Sequence, residues 1–404
     1  MKLSENLRAR GFVNQTTFEN LEDLDKEPRK FYWGVDPSAD SMTVGNFAMA
    51  MMARHFIDAG YEAYLLVGGA TGMIGDPDGK KTERNLLSLD DITRNKNAIA
   101  EQYRRVFAGK DFKIVDNYDW FKDMNYLEFL REIGKNVPMS QMLGREFVQS
   151  RLGQDGEGIS YAEFSYSLIQ GYDFLFQFRE YGVTLQLAGA DQWGNSVTGV
   201  DLIRRLEGAE AHVYTGPLII NKTTGQKFGK SEDGAVWLDE KKTSVYKFYQ
   251  FWLNSGDADV IDYMKVYTLL PIEKIAELVE EVETNPAGRV AQKTLAFEVT
   301  KIVHGQERAQ NVEKVSQVLF GDEDFLSLSE QEVSDLAAEI PTVTLGKTVI
   351  EALVETGVAN SNSEARRLIE SGAISINSSK IDADQTIDSQ SLIKKGKNSF
   401  VLVR

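Results

Sequence analysis

Residues 227–231 read KFGKS, two lysines around a Phe–Gly turn. Glycine permits a tight backbone there, and two mobile ammonium groups can follow phosphate oxygens as they rearrange. A solvated hairpin turn would read the same way. A second segment, GVDPSADSMTVGNF (residues 34–47), runs from a strand signal through a polar loop into a helix opening near Val44. Free N–H groups and the helix dipole at that start favour an anion, and Gly45 leaves room for a flat ring against the backbone. An ordinary strand–loop–helix crossover is the alternative. Residues 68–84, GGATGMIGDPDGKKTER, scatter five glycines ahead of Lys80, Lys81 and Arg84. Their spacing matches neither a P-loop nor a dinucleotide fingerprint, so the cations serve either a phosphate or a solvated loop. In FSYSLIQGYDF (residues 164–174), Tyr166, Gln170 and Asp173 are spaced i, i+4, i+7 and share one helix face. If buried, they need partners: a ligand with an amine and a hydroxyl, or an internal network. In LQLAGADQWGN (residues 185–195), Asp191 and Gln192 follow a strand at its carboxyl end, where open α/β sheets bind ligands. Asp191 can hold ribose hydroxyls there or cap a helix.

The elements that must position these groups alternate. Residues 31–35 and 62–67 read as buried strands around a helix over 44–60 that Gly60 stops. Residues 184–189 read as another strand before a helix over about 191–206, and an apolar run at 213–220 leads into the KFGKS loop. This predicts an α/β fold, an open parallel sheet covered by helices, with a mostly helical insertion over about 114–181. The expected organisation is a nucleotide-binding domain over 1–225, the KFGKS loop and a helical domain over 226–320, a linker over 321–342, and a compact α+β unit over 343–404. Residues 321–340 hold seven acids and no base, which favours a linker with partial helix.

Composition narrows the classes. The 404 residues allow two or three domains, and 42% hydrophobic with 26% charged residues is ordinary for a globular protein. No run approaches the length of a membrane span, and no signal peptide is visible. The chain has no cysteine, and its three histidines, His55, His212 and His304, are far apart, so no structural metal is expected. The net charge of −16 argues against a general nucleic-acid binder. Residues 343–404, however, carry eight basic against seven acidic residues, so a confined basic patch can still meet RNA.

Taken together, in this order and spacing, the five segments resemble the bacterial-type tyrosyl-tRNA synthetases across nearly the whole chain. The resemblance implies a class I Rossmann-like nucleotide-binding domain, a helical anticodon-arm domain and a C-terminal S4-like RNA-binding domain. It implies a cytoplasmic homodimer that uses ATP with Mg2+, L-tyrosine and tRNA(Tyr). Carried over residue by residue, it places Tyr32 and Asp173 at the substrate's phenolic hydroxyl. Asp76, Tyr166 and Gln170 would hold its ammonium group, and Gln192 its carboxylate. Gly34, Asp36, Gly45, Gly189 and Asp191 would line the nucleotide site, with Ser38 near the γ-phosphate and Ser231 beside the loop lysines. Lys80, Arg84, Lys227 and Lys230 would stabilise charge as pyrophosphate leaves. The tail segment VIEALVETGVANSNSEARRLIESGAISINSSKI resembles an S4-type unit, in which Arg366, Arg367, Lys380, Lys394, Lys395 and Lys397 would contact tRNA phosphates.

One departure from the family pattern concerns chemistry. The class I signature begins with histidine; here it reads Thr43, Val44, Gly45, Asn46. Thr43 can donate one hydrogen bond but cannot become cationic. Adenylation is expected to survive, carried by the lysines and Asn46. The alternatives are a tryptophanyl-tRNA synthetase, which has no need of the Tyr32–Asp173 pair, and an RNA-binding paralogue with weakened catalysis. Trp33 is a second departure, since a smaller residue is common beside the ribose.

Overall fold

Residues 31–35 are apolar without alternation because their strand is covered on both faces. In the computed structural model, β2 (Lys30–Val35) lies in a six-stranded sheet with β1 (Gln15–Thr16), β3 (Glu62–Val67), β4 (Phe112–Asp116), β5 (Leu185–Gly189) and β6 (His212–Gly216). The strand order is β1-β6-β5-β2-β3-β4. All neighbours are parallel except β1, which runs antiparallel to β6. On one face Tyr32 meets Phe174 of the helix Tyr161–Tyr181, with ring centroids 5.3 Å apart. On the other, Trp33 meets Tyr103 of the helix Leu89–Val106 at 5.4 Å. The described residues are 1–77, 86–152, 158–222, 225, 228–231, 234–321 and 323–404.

The chain divides into two compact units, Met1–Thr243 with Trp252–Leu295, and Ser244–Phe251 with Ala296–Arg404. The helical stretch expected over 226–320 is therefore shared between them. Asp257–Tyr267 and Ile272–Thr284 belong to the first unit. Tyr267 stacks there on Phe47 of the helix Val44–Asp58. The Arg10 guanidinium donates to the carbonyls of Lys265, Thr268 and Leu270, satisfying acceptors that the end of the helix Asp257–Tyr267 leaves open. Residues 114–116, read from sequence as the start of a helical insertion, instead belong to the edge strand β4. Its five residues are mostly half-buried and interrupted by Lys113, so neither periodicity stands out.

In the second unit, β9 (Thr342–Val343), β10 (Ile374–Ile376), β11 (Ser379–Lys380), β12 (Ser391–Lys395) and β13 (Ser399–Val403) form a sheet ordered β11-β10-β12-β13-β9. The hairpin β7 (Lys230–Ser231) and β8 (Gly234–Ala235) lies in the first unit. Alternate residues of β12 and β13 face opposite ways. Ile393, Val401 and Val403 pack with Leu353 and Ile369 of the helices Val349–Glu355 and Asn362–Glu370. Leu392, Phe400 and Leu402 pack with Val315, Leu319, Phe325, Val333 and Leu336. The last three of these come from the acidic stretch. It is not a free linker: Ser329 and Glu332 form a capping box on the helix Glu330–Ala337, whose apolar face is buried.

The β10–β11 turn places Asn377 at φ 44° and Ser378 at φ 68°. Two-residue hairpins of type I′ need positive φ at both positions, and serine carries a steric cost there that glycine does not. Ser378→Gly is expected to stabilise the second unit by about 0.5–1 kcal/mol, read as a higher denaturant midpoint. Among the described residues no helix is long and apolar enough to cross a membrane.

Candidate active site

Strand order reverses between β2 and β5, and in open parallel sheets a crevice forms outside the carboxyl ends of the strands at such a point. A cavity of about 350 Å³ occupies this place. Tyr32, Gly34, Asp36, Ser38, Thr43, Gly45, Asn46, Asp76, Tyr166, Gln170, Asp173, Gly189, Asp191 and Gln192 all line it. Side chains from distant parts of the sequence are thus brought to one crevice. Trp33 lines the same wall.

At its deep end Tyr32 and Asp173 are 3% and 2% exposed. The Tyr32 hydroxyl and the Gln170 Oε1 are buried and have no hydrogen-bond partner among the described residues. Buried polar atoms without partners are costly, and in a cavity wall they mark where a ligand's polar groups belong. Asp173 accepts hydrogen bonds from Trp120 Nε1 at 2.9 Å and Asn117 Nδ2 at 3.1 Å. Burial pushes its carboxyl up to about 8; the two donated bonds oppose that shift, and the charges of Asp36 and Asp116 add to it. Burial, then the charge of Asp173, pushes the Tyr32 hydroxyl well above its ordinary range, so it remains a donor.

Midway, the Tyr166 hydroxyl donates to Asp36 Oδ2 at 2.7 Å, and Thr71 Oγ1 donates to Asp36 Oδ1 at 2.6 Å. Asn117 Nδ2 in turn donates to Thr71 Oγ1 at 3.0 Å. Asp36 is thus tied through Tyr166 to the helix Tyr161–Tyr181 while lining the cavity. Gln192 Nε2 donates to Asp76 Oδ2 at 2.5 Å, and Asn195 Nδ2 to Gln192 Oε1 at 3.2 Å. Asn117, Trp120, Thr71 and Asn195 were not legible as site residues. The only sequence signal was indirect, that a buried aspartate needs donors.

At the open end Thr43 caps the helix Val44–Asp58. Its hydroxyl accepts the Asn46 N–H at 3.4 Å and donates to Asn46 Oδ1 at 2.9 Å, and Asn46 Oδ1 accepts the Thr43 N–H at 3.0 Å. Both polar positions of the signature are thus engaged with each other in a reciprocal cap. A Cβ on Gly189 would stand 2.6 Å from Asp191 Oδ1, so glycine there gives that carboxylate its place.

The KFGKS segment is stapled to the signature through backbone bonds. Val236 N–H donates to Gly229 O, Val44 N–H to Val236 O, and Leu238 N–H to Met42 O. Phe228 stacks on Tyr263, centroids 4.1 Å apart. Lys80, Arg84 and Lys227 lie outside the described residues, and Lys230 and Ser231 are placed by their backbone in β7. Among the described residues no group of three or more histidine, aspartate or glutamate side chains could hold a metal.

In the second unit Arg366, Arg367, Lys380 and Lys397 are exposed. Lys394 Nζ donates to Leu319 O at 2.8 Å, and Lys395 Nζ to Val358 O at 2.7 Å. Those two ammonium groups serve carbonyls of their own unit.

A family model described as "tRNA synthetases class I (W and Y)" matches residues 24–321, and one described as "Tyrosine--tRNA ligase SYY-like C-terminal domain" matches residues 332–404. "Tyrosine--tRNA ligase 2" of Bacillus anthracis is 42% identical over 422 residues, covering 100% of both chains. "Tyrosine--tRNA ligase" of Levilactobacillus brevis is 41% identical over 421 residues, covering 100% of this chain and 99% of that one. Among solved structures, a C-terminally truncated Aspergillus nidulans mitochondrial tyrosyl-tRNA synthetase is similar with a TM-score of 0.71 and 29% identity, covering 79% of this chain and 94% of that one. Plasmodium falciparum tryptophanyl-tRNA synthetase shares the fold, with a TM-score of 0.55 and 16% identity over 82% of this chain and 89% of that one. With a switch-point cavity, a capped signature helix and matches along its whole length, the chain belongs to the class I tRNA synthetases, in the tyrosyl-tRNA synthetase family.

Proposed function

We infer that this chain is a tyrosine–tRNA ligase that converts L-tyrosine and ATP, with Mg2+, to tyrosyl-adenylate and pyrophosphate, and then esterifies the 3′ end of tRNA(Tyr). The observation that carries the reading is the buried Tyr32 hydroxyl, unpartnered among the described residues, in the same cavity as the buried Asp173 carboxyl. A phenol oxygen between them would accept from Tyr32 and donate to Asp173. Asp76, Tyr166 and Gln170 would take the ammonium group. The tyrosine carboxylate then attacks the α-phosphorus in line, and pyrophosphate departs. No protein nucleophile is required, so the chain's part is positioning and charge stabilisation. Asn46, Lys80, Arg84, Lys227 and Lys230 would supply the latter, and Asp191 would orient the ribose.

Tyrosine-dependent exchange of pyrophosphate into ATP tests this. Exchange is expected with tyrosine and not with tryptophan or phenylalanine; absence of exchange with tyrosine would overturn the reading. Sites that hydrogen-bond a substrate hydroxyl reject the analogue lacking it by about 10⁴–10⁵, tyrosyl-tRNA synthetases being the standing example. Full-length likeness to tyrosine–tRNA ligases leaves the weakened RNA-binding paralogue without support. Thr43→His is expected to exchange as fast as the natural chain or faster. Losing the cap costs about 1 kcal/mol, so its Tm should fall even as its rate holds.

We also propose a homodimer acting in the cytoplasm. Tyr126, Leu127 and Tyr161 are 59%, 71% and 63% exposed, and the two tyrosine hydroxyls lie 3.4 Å apart on one surface. Exposed apolar clusters of this kind mark interfaces. Sedimentation of a Leu127→Glu, Tyr161→Glu variant should show monomer where the natural chain shows dimer. For tRNA, Arg366, Arg367, Lys380 and Lys397 are the exposed contacts that this reading favours, with Lys394 and Lys395 contributing less.

A further inference from the structure

We propose that Met49 is an oxidation site through which hydroperoxides reversibly weaken nucleotide binding. The inference rests on the ATP-binding reading above and adds a modification to it. The chain has ten methionines and no cysteine, so no thiol competes for oxidant. Among the described residues Met49 is the one methionine that lines the cavity, and it is half-buried. Its neighbours on the same helix, Met51 and Met52, are 1% and 0% exposed.

The thioether lies against the ends of β5 and β6. A Cβ on Gly216 would stand 3.0 Å from Met49 Cε and 3.3 Å from its sulfur, and one on Gly189 would stand 3.9 Å from the sulfur. Ala48, Pro217 and Leu218 complete this part of the wall. It is an apolar shelf at the open, nucleotide end of the cavity, and none of these side chains carries a donor.

The chemistry is a two-electron oxygen transfer. A sulfur lone pair attacks the terminal oxygen of the hydroperoxide, and the O–O bond breaks. The departing oxygen takes the proton and leaves as water or an alcohol. Sulfur is oxidised to the sulfoxide and the peroxide is reduced. The product is a polar, chiral group on a surface that had been flexible and apolar. A nucleotide pressed on that shelf would meet a polar oxygen where the wall had been apolar and would have to desolvate it, which disfavours binding. Tyrosine binds at the other end and is not affected.

The test uses the full chain and hydrogen peroxide, with peptide mass spectrometry and pyrophosphate exchange as readouts. Met49 should convert well before Met51 and Met52, and saturating ATP should slow it without slowing the exposed Met139. Conversion should raise the KM for ATP by roughly fivefold or more and leave that for tyrosine within about twofold. Methionine sulfoxide reductases should restore the original value. Met49→Leu, whatever its starting KM, should keep that value through the same treatment. The proposal is overturned if Met49 stays unconverted while Met139 is oxidised, if full conversion leaves the KM for ATP unchanged, or if Met49→Leu loses as much as the natural chain. Exchange by untreated protein checks the ATP-binding reading separately.

Discussion

Asp173→Ala should lower kcat/KM for tyrosine in pyrophosphate exchange by about 100-fold or more, while the KM for ATP moves less than about threefold. A hydrogen bond contributes about 0.5–1.5 kcal/mol, more where the acceptor is charged, and each buried donor left without an acceptor costs about 1–3 kcal/mol. Asp173→Ala removes the first and strands the Trp120 Nε1 donor, whereas Asn117 Nδ2 loses one bond and keeps the one to Thr71. Phenylalanine, which has no hydroxyl to lose, should be affected less, so the ratio between the two substrates narrows. If tyrosine and phenylalanine lose activity equally, Asp173 supports the fold and does not read the phenol. Asp173→Asn separates charge from shape. Burial holds the native carboxyl at about 8. An unfolded aspartate titrates near 3.9, so between these values the native state keeps a proton that the unfolded state has lost. The contribution to stability is fullest below about pH 4 and declines as pH rises toward 8. Denaturant midpoints at pH 5 and 8 should therefore differ less for Asp173→Asn than for the natural chain.

Gly229→Ala should lower the exchange rate by about 10–100-fold with little change in tyrosine affinity. Gly229 adopts φ 112°, and an added Cβ would lie 2.9 Å from Val44 Cγ2 and 3.5 Å from the Gly45 N. Alanine is strained in that backbone region wherever it sits, and here it also presses on the first turn of the signature helix. Either the loop moves or the signature does, and a misplacement of about 1 Å can cost roughly 100-fold in rate. The proposed tyrosine site, at Tyr32 and Asp173, is at the other end of the cavity, and equilibrium dialysis should find tyrosine affinity undisturbed. A variant that keeps its full rate would show that the close approach of KFGKS to the signature has no part in adenylation.

What the sequence determined by itself is local and periodic. The strands at 31–35, 62–67 and 184–189 were legible because parallel strands covered on both faces are runs of apolar residues. The i, i+4, i+7 spacing brought Tyr166, Gln170 and Asp173 to one helix face, and all three line the cavity. Asp191 and Gln192 were legible because ligand crevices form at strand carboxyl ends. The tertiary structure decided the partners across long separations. Asn117 and Trp120 reach Asp173 from 56 and 53 residues away, and Asp36 reaches Tyr166 from 130. No spacing rule covers such distances, because the order and register of β2, β3, β4 and β5 set them. The same holds for Lys394 and Lys395, which share the basic look of Arg366 and Arg367 but turn to carbonyls of their own unit. The acidic stretch likewise looked like a linker because charge dominates its composition. Its Phe325, Val333 and Leu336 have their core in Leu392, Phe400 and Leu402 of β12 and β13, more than 50 residues away. Periodicity is written within one element, whereas partnership depends on where the other elements come to rest.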